Sequence, residues 1–265
     1  MRLDFTRLTE VRQQRPLLHC ISNIVSANDC ANLVLAAGAG PVMAEATPEM
    51  LEITAASAAA VLNTGTPSVE KFNACRICAR EAERLGRPVI MDPVGVGASR
   101  WRLSCVRELL EAFTPSILRV NLGEAQALAG LESMARGVDS PAASLDRRLD
   151  AARRLSRQYR TTVLLSGPED LVSGPGGVWR VRGGSAWMPR ITGTGCMLST
   201  LCGVFAAVEP DPEAAALLAA VFWKTCARRA EAEAKGPGSF RAALLDAASA
   251  LTPEDLQSEA QIEEL

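Results

Sequence analysis

The chain is short of the residues that most often announce a site or a compartment. It has one histidine, His19, far in sequence from the Cys75-x-x-Cys78 pair, and this discounts a metal centre there. It has no basic stripe. Lys and Arg number 28 against 30 Asp and Glu, the net charge is −2, and the signs are mixed along the chain, so nucleic acid is not an expected partner. No apolar run reaches membrane-spanning length, and Met1-Arg2-Leu3-Asp4-Phe5 opens without the apolar core of a signal peptide. The default expectation is a cytoplasmic protein that does not engage a membrane. Internal repeats and low-complexity tracts are missing too. At 265 residues, one domain over 1–265 is expected, and a domain of this size buries roughly 75% of its unfolded surface without needing staples.

Cysteine, by contrast, is plentiful. The eight cysteines lie inside apolar patterns rather than at loop positions, as expected of buried free thiols. Cys75 and Cys78 belong to a helical apolar stripe (Val69, Phe72, Cys75, Cys78, Ala82, Leu85), whereas a redox pair is expected at the head of a helix that follows a strand.

The order along the chain is an alternation of short apolar runs and helical patterns. Runs end at His19-Cys20-Ile21-Ser22-Asn23, Gly40-Pro41-Val42-Met43, Asn63-Thr64-Gly65-Thr66, Asp92-Pro93-Val94-Gly95, Asn121-Leu122-Gly123-Glu124 and Ser166-Gly167. Helices are expected between them, one with Pro67 in its first turn and ended by Gly86, another over Leu145 to Tyr159. Arg136 to Ala143 reads as loop. After Ser166 the glycine clusters at 174–177 and 183–184 separate short runs, Val178 to Val181 and Ala186 to Met188, which read as hairpins. The fold class is therefore α/β, a mostly parallel sheet covered by helices on both faces, with antiparallel hairpins at one edge. Ligands of such sheets bind beyond the carboxyl ends of the strands, so Asn23, Met43, Asn63, Asp92, Asn121, Glu124 and Ser166 share one rim.

The stretch Arg190 to Thr200 is the focus of that rim. Gly193 and Gly195 bracket Thr194, and the run after them is too apolar for a surface helix. The first N–H groups of such a helix lack partners and its dipole makes that end electropositive, so the loop is either an anion site or the plain start of a core helix. Asp92 and Glu124 follow different strands and are either local turn and helix-start residues or hard oxygen ligands for Mg²⁺. Arg119 interrupts the strand Ile117-Leu118-Arg119-Val120 and needs an anionic partner, a phosphate or a neighbouring carboxylate. His19 is a base or a hydrogen-bonded core residue. Phosphoryl transfer fits the set, because its loose transition state asks mainly for positioning and charge neutralisation. Cys196 would then sit near the acceptor hydroxyl, with a pKa lowered by the helix end and an assisting role as base.

The same stretches, with Arg119-Val120-Asn121-Leu122-Gly123-Glu124, Thr192-Gly193-Thr194-Gly195-Cys196 and Lys235-Gly236-Pro237-Gly238-Ser239-Phe240, resemble the hydroxyethylthiazole kinase family along nearly the whole chain and in the family's order. The resemblance implies a ribokinase-like three-layer sandwich and ATP-dependent phosphorylation of the primary alcohol of 4-methyl-5-(2-hydroxyethyl)thiazole, a step in thiamine salvage. It also implies Mg²⁺ and a homotrimer with sites between subunits. By motif position Arg119 and Ser166 would contact ATP, and Asn23 and Thr192 would help with phosphates. Asp92 and Glu124 would hold the metal, directly or through water. Met43 and Gly193 would line the thiazole site, and Cys196 would stand where sugar kinases of this fold carry an aspartate base. Departures from the family's pattern are Ser22 for Thr, Val120 for Gly, and Ser166-Gly167-Pro168-Glu169 for Thr-Gly-Glu, where Pro168 removes a donor N–H. A pyrimidine or pyridoxal kinase of the same fold is the competing enzyme, although the pyrimidine kinases' Gly-rich entry is replaced here by His19 to Val25. A non-catalytic binding protein is the competing class.

Overall fold

The computed structural model describes residues 3–131 and 145–265. The loop expected at Arg136 to Ala143 lies outside the described residues. Every described strand enters one sheet, ordered β2-β1-β3-β4-β5-β6-β7-β8-β9, with β1 Leu17–Ile21, β2 Gly40–Val42, β3 Ala59–Asn63, β4 Val89–Asp92, β5 Ile117–Asn121, β6 Thr162–Ser166, β7 Asp170–Gly174, β8 Gly177–Val181 and β9 Ile262–Glu264. β1 to β6 run parallel, and β7, β8 and β9 add antiparallel at one edge.

The period-2 alternation of strand side chains sorts the core into two apolar layers. Leu18, Cys20, Val61, Ile90, Ile117 and Leu164 face one layer, built from α2 (Ala27–Ala37), α8 (Thr194–Ala206), α9 (Pro212–Glu233) and α10 (Pro237–Ala250). Ile21, Leu62, Met91, Leu118, Val120 and Leu165 face the other, built from α3 (Met50–Ala56), α4 (Val69–Arg84), α5 (Arg100–Ala112), α6 (Leu122–Ala129) and α7 (Leu145–Tyr159). Two elements without a strong apolar period, α1 (Arg7–Gln14) and α11 (Pro253–Glu259), close the first layer through Leu8, Val11 and Leu256. Among the described residues no helix is long and apolar enough to cross a membrane.

Two local expectations are corrected. Pro67 lies before α4 rather than in it, because Ser68 Oγ accepts the Lys71 N–H at 3.0 Å and that side-chain cap starts the helix. Ala186 to Met188 is not a strand. Ser185 Oγ accepts the Trp187 N–H at 3.0 Å, Trp187 turns onto Phe240 with ring centroids 6.1 Å apart, and a short 3₁₀ turn follows at Met188–Arg190. All eight cysteines are free, seven buried and Cys105 half-buried.

α8 is buried from Cys196 to Ala206 and lies against the centre of the sheet. Its closeness depends on Gly203: a Cβ there would fall 2.5 Å from Val61 Cγ2 and 2.9 Å from Leu18 Cδ2. Gly203→Ala is expected to lower stability by about 1–3 kcal/mol through overpacking, measured by urea denaturation. An unchanged midpoint would show that the sheet yields to α8.

Candidate active site

The carboxyl ends of the parallel strands carry a continuous polar network. Strand register sets it up. Asn63 lies opposite Asp92, Met91 opposite Leu118 one residue before Asp92 and Arg119, and Asn121 opposite Ser166. Asp92 is fully buried at the end of β4. Its Oδ2 accepts from Asn63 Nδ2 at 3.0 Å and from Ser199 Oγ of α8 at 2.7 Å, and its Oδ1 faces Arg119 Nη1 at 3.5 Å. Arg119 Nη2 donates to Ser166 Oγ at 2.5 Å, while its Nε is buried with no hydrogen-bond partner. Asn23 Nδ2 reaches both Asn63 Oδ1, at 3.1 Å, and Cys196 Sγ, at 3.2 Å.

Glu124 forms a capping box with Asn121 at the head of α6: Asn121 Oδ1 accepts the Glu124 N–H at 2.8 Å and Glu124 Oε2 accepts the Asn121 N–H at 2.9 Å. Its Oε1 also accepts the Gly95 N–H at 3.0 Å, tying the loop after Asp92 to the loop after β5. Both carboxylates thus carry local structural duties, and they also sense each other. Burial pushes the Asp92 carboxyl above the usual aspartate range; Arg119 opposes that shift and Glu124 adds to it. Two repelling carboxylates at the ends of neighbouring strands are an oxygen-only donor pair of the kind a hard dication relieves. Among the described residues no cluster of three or more His, Cys, Asp or Glu could hold a metal by protein ligands alone, so any ion here would also need water or substrate oxygens. Burial works against the charge of Arg119, but Asp92 and Glu124 more than offset it.

α8 points its uncapped end into this network. Gly193 has φ +86°, a left-handed turn that glycine adopts at no steric cost, and no side chain caps the helix. The first intrahelical bond reaching back to this loop is Met197 N to Gly193 O at 2.9 Å, and the N–H groups of 194–196 have no acceptor within the helix. Gly195 lets the guanidinium of Arg119 lie directly against this end, where a Cβ would overlap it. A helix N-terminus and an incompletely satisfied guanidinium converge at one spot, which suits a polyanion.

The structure therefore brings together Asn23, Asp92, Arg119, Glu124, Ser166, Gly193 and Cys196. Thr192 is exposed just ahead of the loop, and Met43 is exposed after β2 at the sheet's opposite edge. His19 lies on the other face of β1, with Nδ1 2.9 Å from Thr54 Oγ1 and Nε2 2.9 Å from the Ala44 carbonyl. Both ring nitrogens are thus engaged in the core away from the rim network, and burial pushes its pKa down. Asn63 is on the expected rim, but its role as the link between Asn23 and Asp92 was not anticipated. Ser199 was missed; its signal is a hydroxyl one turn after Cys196 on an otherwise apolar helix. The expected lowering of the Cys196 pKa is overturned: burial, and then Asp92, push the thiol up. A cavity of about 820 Å³ between the N-terminal segment and β9, lined by Phe5, Trp179, Leu217 and Ile262, touches none of these residues.

A model of the hydroxyethylthiazole kinase family matches residues 8–254. A hydroxyethylthiazole kinase from Methanoculleus marisnigri is 42% identical over 257 residues, 97% of this chain and 92% of that protein. The structure of a hydroxyethylthiazole kinase from Pyrococcus horikoshii superposes with a TM-score of 0.90 at 33% identity, covering 98% of each chain. A ribokinase-like superfamily protein from Enterococcus faecalis shares the fold, with a TM-score of 0.64 at 15% identity over 98% of this chain and 96% of its own. The chain belongs to the hydroxyethylthiazole kinase family, with a ribokinase-like fold, and is a kinase.

A raised thiol pKa means that thiolate forms only above the ordinary cysteine range. At pH 7.5 iodoacetamide is expected to label half-buried Cys105 first and Cys196 more slowly than free cysteine, by peptide mass mapping. A Cys196 that outpaces free cysteine would show a depressed pKa instead.

Proposed function

We propose that this member of the family transfers the γ-phosphoryl group of ATP, with Mg²⁺, to the primary alcohol of 4-methyl-5-(2-hydroxyethyl)thiazole, a step toward thiamine. The observation that carries the reading is the convergence of the uncapped α8 N-terminus, the Arg119 guanidinium and the Asp92–Glu124 pair. Arg119 and Ser166 bind ATP phosphates through the guanidinium and the hydroxyl that already bond each other. Asn23 and Thr192 assist at the phosphates, and Met43 and Gly193 line the thiazole. Asp92 and Glu124 hold Mg²⁺, in part through water, and the ion supplies charge neutralisation on the transferring group.

Cys196 stays protonated before transfer, because burial raises its pKa. The acceptor's proton becomes acidic only as its oxygen bonds phosphorus, so in a loose transition state it leaves late, to an oxygen of the transferred phosphoryl group or to water rather than to the neutral thiol. The thiol meanwhile orients the hydroxyl, itself fixed by the Asn23 Nδ2 donor at 3.2 Å.

Ile24, at 83% exposure, together with Val25, Met43, Leu51, Val69 and Trp101, leaves exposed apolar side chains just after β1 and β2 and in the first turns of α3, α4 and α5. Apolar side chains left uncovered on the loops and helix starts that follow the strands are compatible with a homotrimer closed around sites between subunits. A single domain over 1–265 and a cytoplasmic setting complete the reading, in keeping with one sheet and eight free thiols.

Steady-state kinetics with Mg·ATP and a panel of heteroaromatic alcohols test the proposal. The thiazole alcohol is expected to give the highest kcat/KM, and a preference for a hydroxymethylpyrimidine or for pyridoxal would overturn it. Glu124→Gln is expected to cut Mg²⁺-dependent turnover by about 10²-fold or more, as loss of preorganised charge does, whereas Cys196→Ala should cost about tenfold or less, as loss of one orienting hydrogen bond does. Equal losses would place the barrier on the thiol.

A further inference from the structure

Two lysines that belong to neither the motifs nor the network are almost fully buried at the rim, one from each helical layer. Lys224 on α9 and Lys71 on α4 are 4% and 6% exposed. Lys224 Nζ donates to the Gly167 carbonyl at 2.8 Å and the Pro168 carbonyl at 3.1 Å, and lies 3.2 Å from Asp170 Oδ1. These three acceptors match the three donors of an ammonium. They all belong to the turn that follows Ser166, where Asp170 Oδ1 also accepts the Gly167 N–H at 2.9 Å. Arg148 of α7 donates to the Glu169 carbonyl from the other layer, so the turn is gripped from both faces.

Lys71 does the equivalent on the opposite half. Its Nζ donates to the Ser22 carbonyl at 2.7 Å, the Gly65 carbonyl at 3.3 Å and Thr66 Oγ1 at 3.5 Å, and pairs with Glu45 Oε2 at 3.4 Å. Ser22 precedes Asn23, Gly65 follows Asn63 by two residues, and Glu45 follows Met43 by two. Thr66 Oγ1 in turn accepts the Ile24 N–H at 3.3 Å. One ammonium thus joins the loops after β1, β2 and β3.

We propose that Lys224 and Lys71 are positioning residues that brace the two halves of the rim separately, Lys224 the nucleotide half around Ser166 and Lys71 the acceptor half around Asn23 and Met43. The assignment of halves rests on the functional reading above. In each case several loop oxygens point at one buried position. With the cation gone those acceptors lose their partners and repel, and the loop opens to regain water. No hydrogen bond runs from either lysine to Asp92, Arg119 or Cys196, so each acts through backbone placement, and each half can loosen alone.

Isothermal titration with a non-hydrolysable ATP analogue plus Mg²⁺, and separately with the thiazole alcohol, separates this from general destabilisation. Lys224→Gln is expected to weaken the nucleotide analogue by about tenfold or more and the alcohol by less than about twofold. Lys71→Gln is expected to do the reverse. Should either fail to fold, Asp170→Asn and Glu45→Gln each weaken one brace while keeping its shape, and the same split is expected at smaller size. Wild-type protein that binds both ligands, with variants that weaken both equally or neither, overturns the braces alone. Wild-type protein that binds neither ligand overturns the functional reading, and the braces with it.

Discussion

The arrangement at the rim depends on one buried ion pair, Arg119 with Asp92. Asp92 has no exposed surface and the Arg119 side chain is 8% exposed. Desolvating both charges costs several kcal/mol per ion, and breaking such a pair commonly costs about 3–5 kcal/mol. Replacing the pair by well-packed apolar groups would be neutral or better for stability, so stability does not account for its presence. Its satisfaction is lopsided. Asp92 gathers Asn63, Ser199 and Arg119, whereas Arg119 keeps one weak contact to Asp92 at 3.5 Å, one bond to Ser166 and an unpartnered Nε. The hydrogen-bonding capacity left unused is on the guanidinium, which lies against the electropositive end of α8. Donors gathered in this way suit an anion.

Strand parity explains why this much of the site was readable in advance. Val61, Ile90, Ile117 and Leu164 face the α8 layer, and two residues on from each stand Asn63, Asp92, Arg119 and Ser166. A parallel sheet with a period of two must therefore deliver all four to the same face and the same end. His19 falls between Leu18 and Cys20, which face α8, and so is sent to the other layer, where Thr54 and Ala44 satisfy it. The same counting would have assigned it to the core from the sequence alone.

Other features were hidden for physical reasons. Lys71 and Lys224 occupy helices, where a lysine ordinarily marks the solvated face. Their burial depends on carbonyls that converge only when loops distant in sequence fold together. Ser68 took over the helix start expected near Pro67 because a side-chain cap competes locally with proline's preference. Trp187 took its run out of strand pairing by stacking on Phe240, a partner 53 residues on. The Cys196 pKa differs from the expectation because the helix dipole outweighs neither the desolvation of a thiol already expected to be buried nor the charge of Asp92, whose nearness only the fold sets.

That reversal bears on how the chemistry divides. A cysteine at the head of a helix invites a mechanism in which a thiolate strips the acceptor before attack. Here the helix end is electropositive, yet burial of the sulfur, and then the charge of Asp92 three hydrogen bonds away through Asn23 and Asn63, work against a thiolate. On the proposed reading, in which Asp92 and Glu124 hold a dication, the carboxylates that attract the ion also disfavour a free thiolate beside them. The proposed mechanism resolves the conflict by leaving the sulfur a neutral thiol throughout, the alcohol's proton going late to a phosphate oxygen or to water. On that account charge placement sets the barrier and proton transfer follows it. On the proposed reading, the loops that hold the charges, and the two buried lysines behind them, are then expected to govern turnover more strongly than the thiol does.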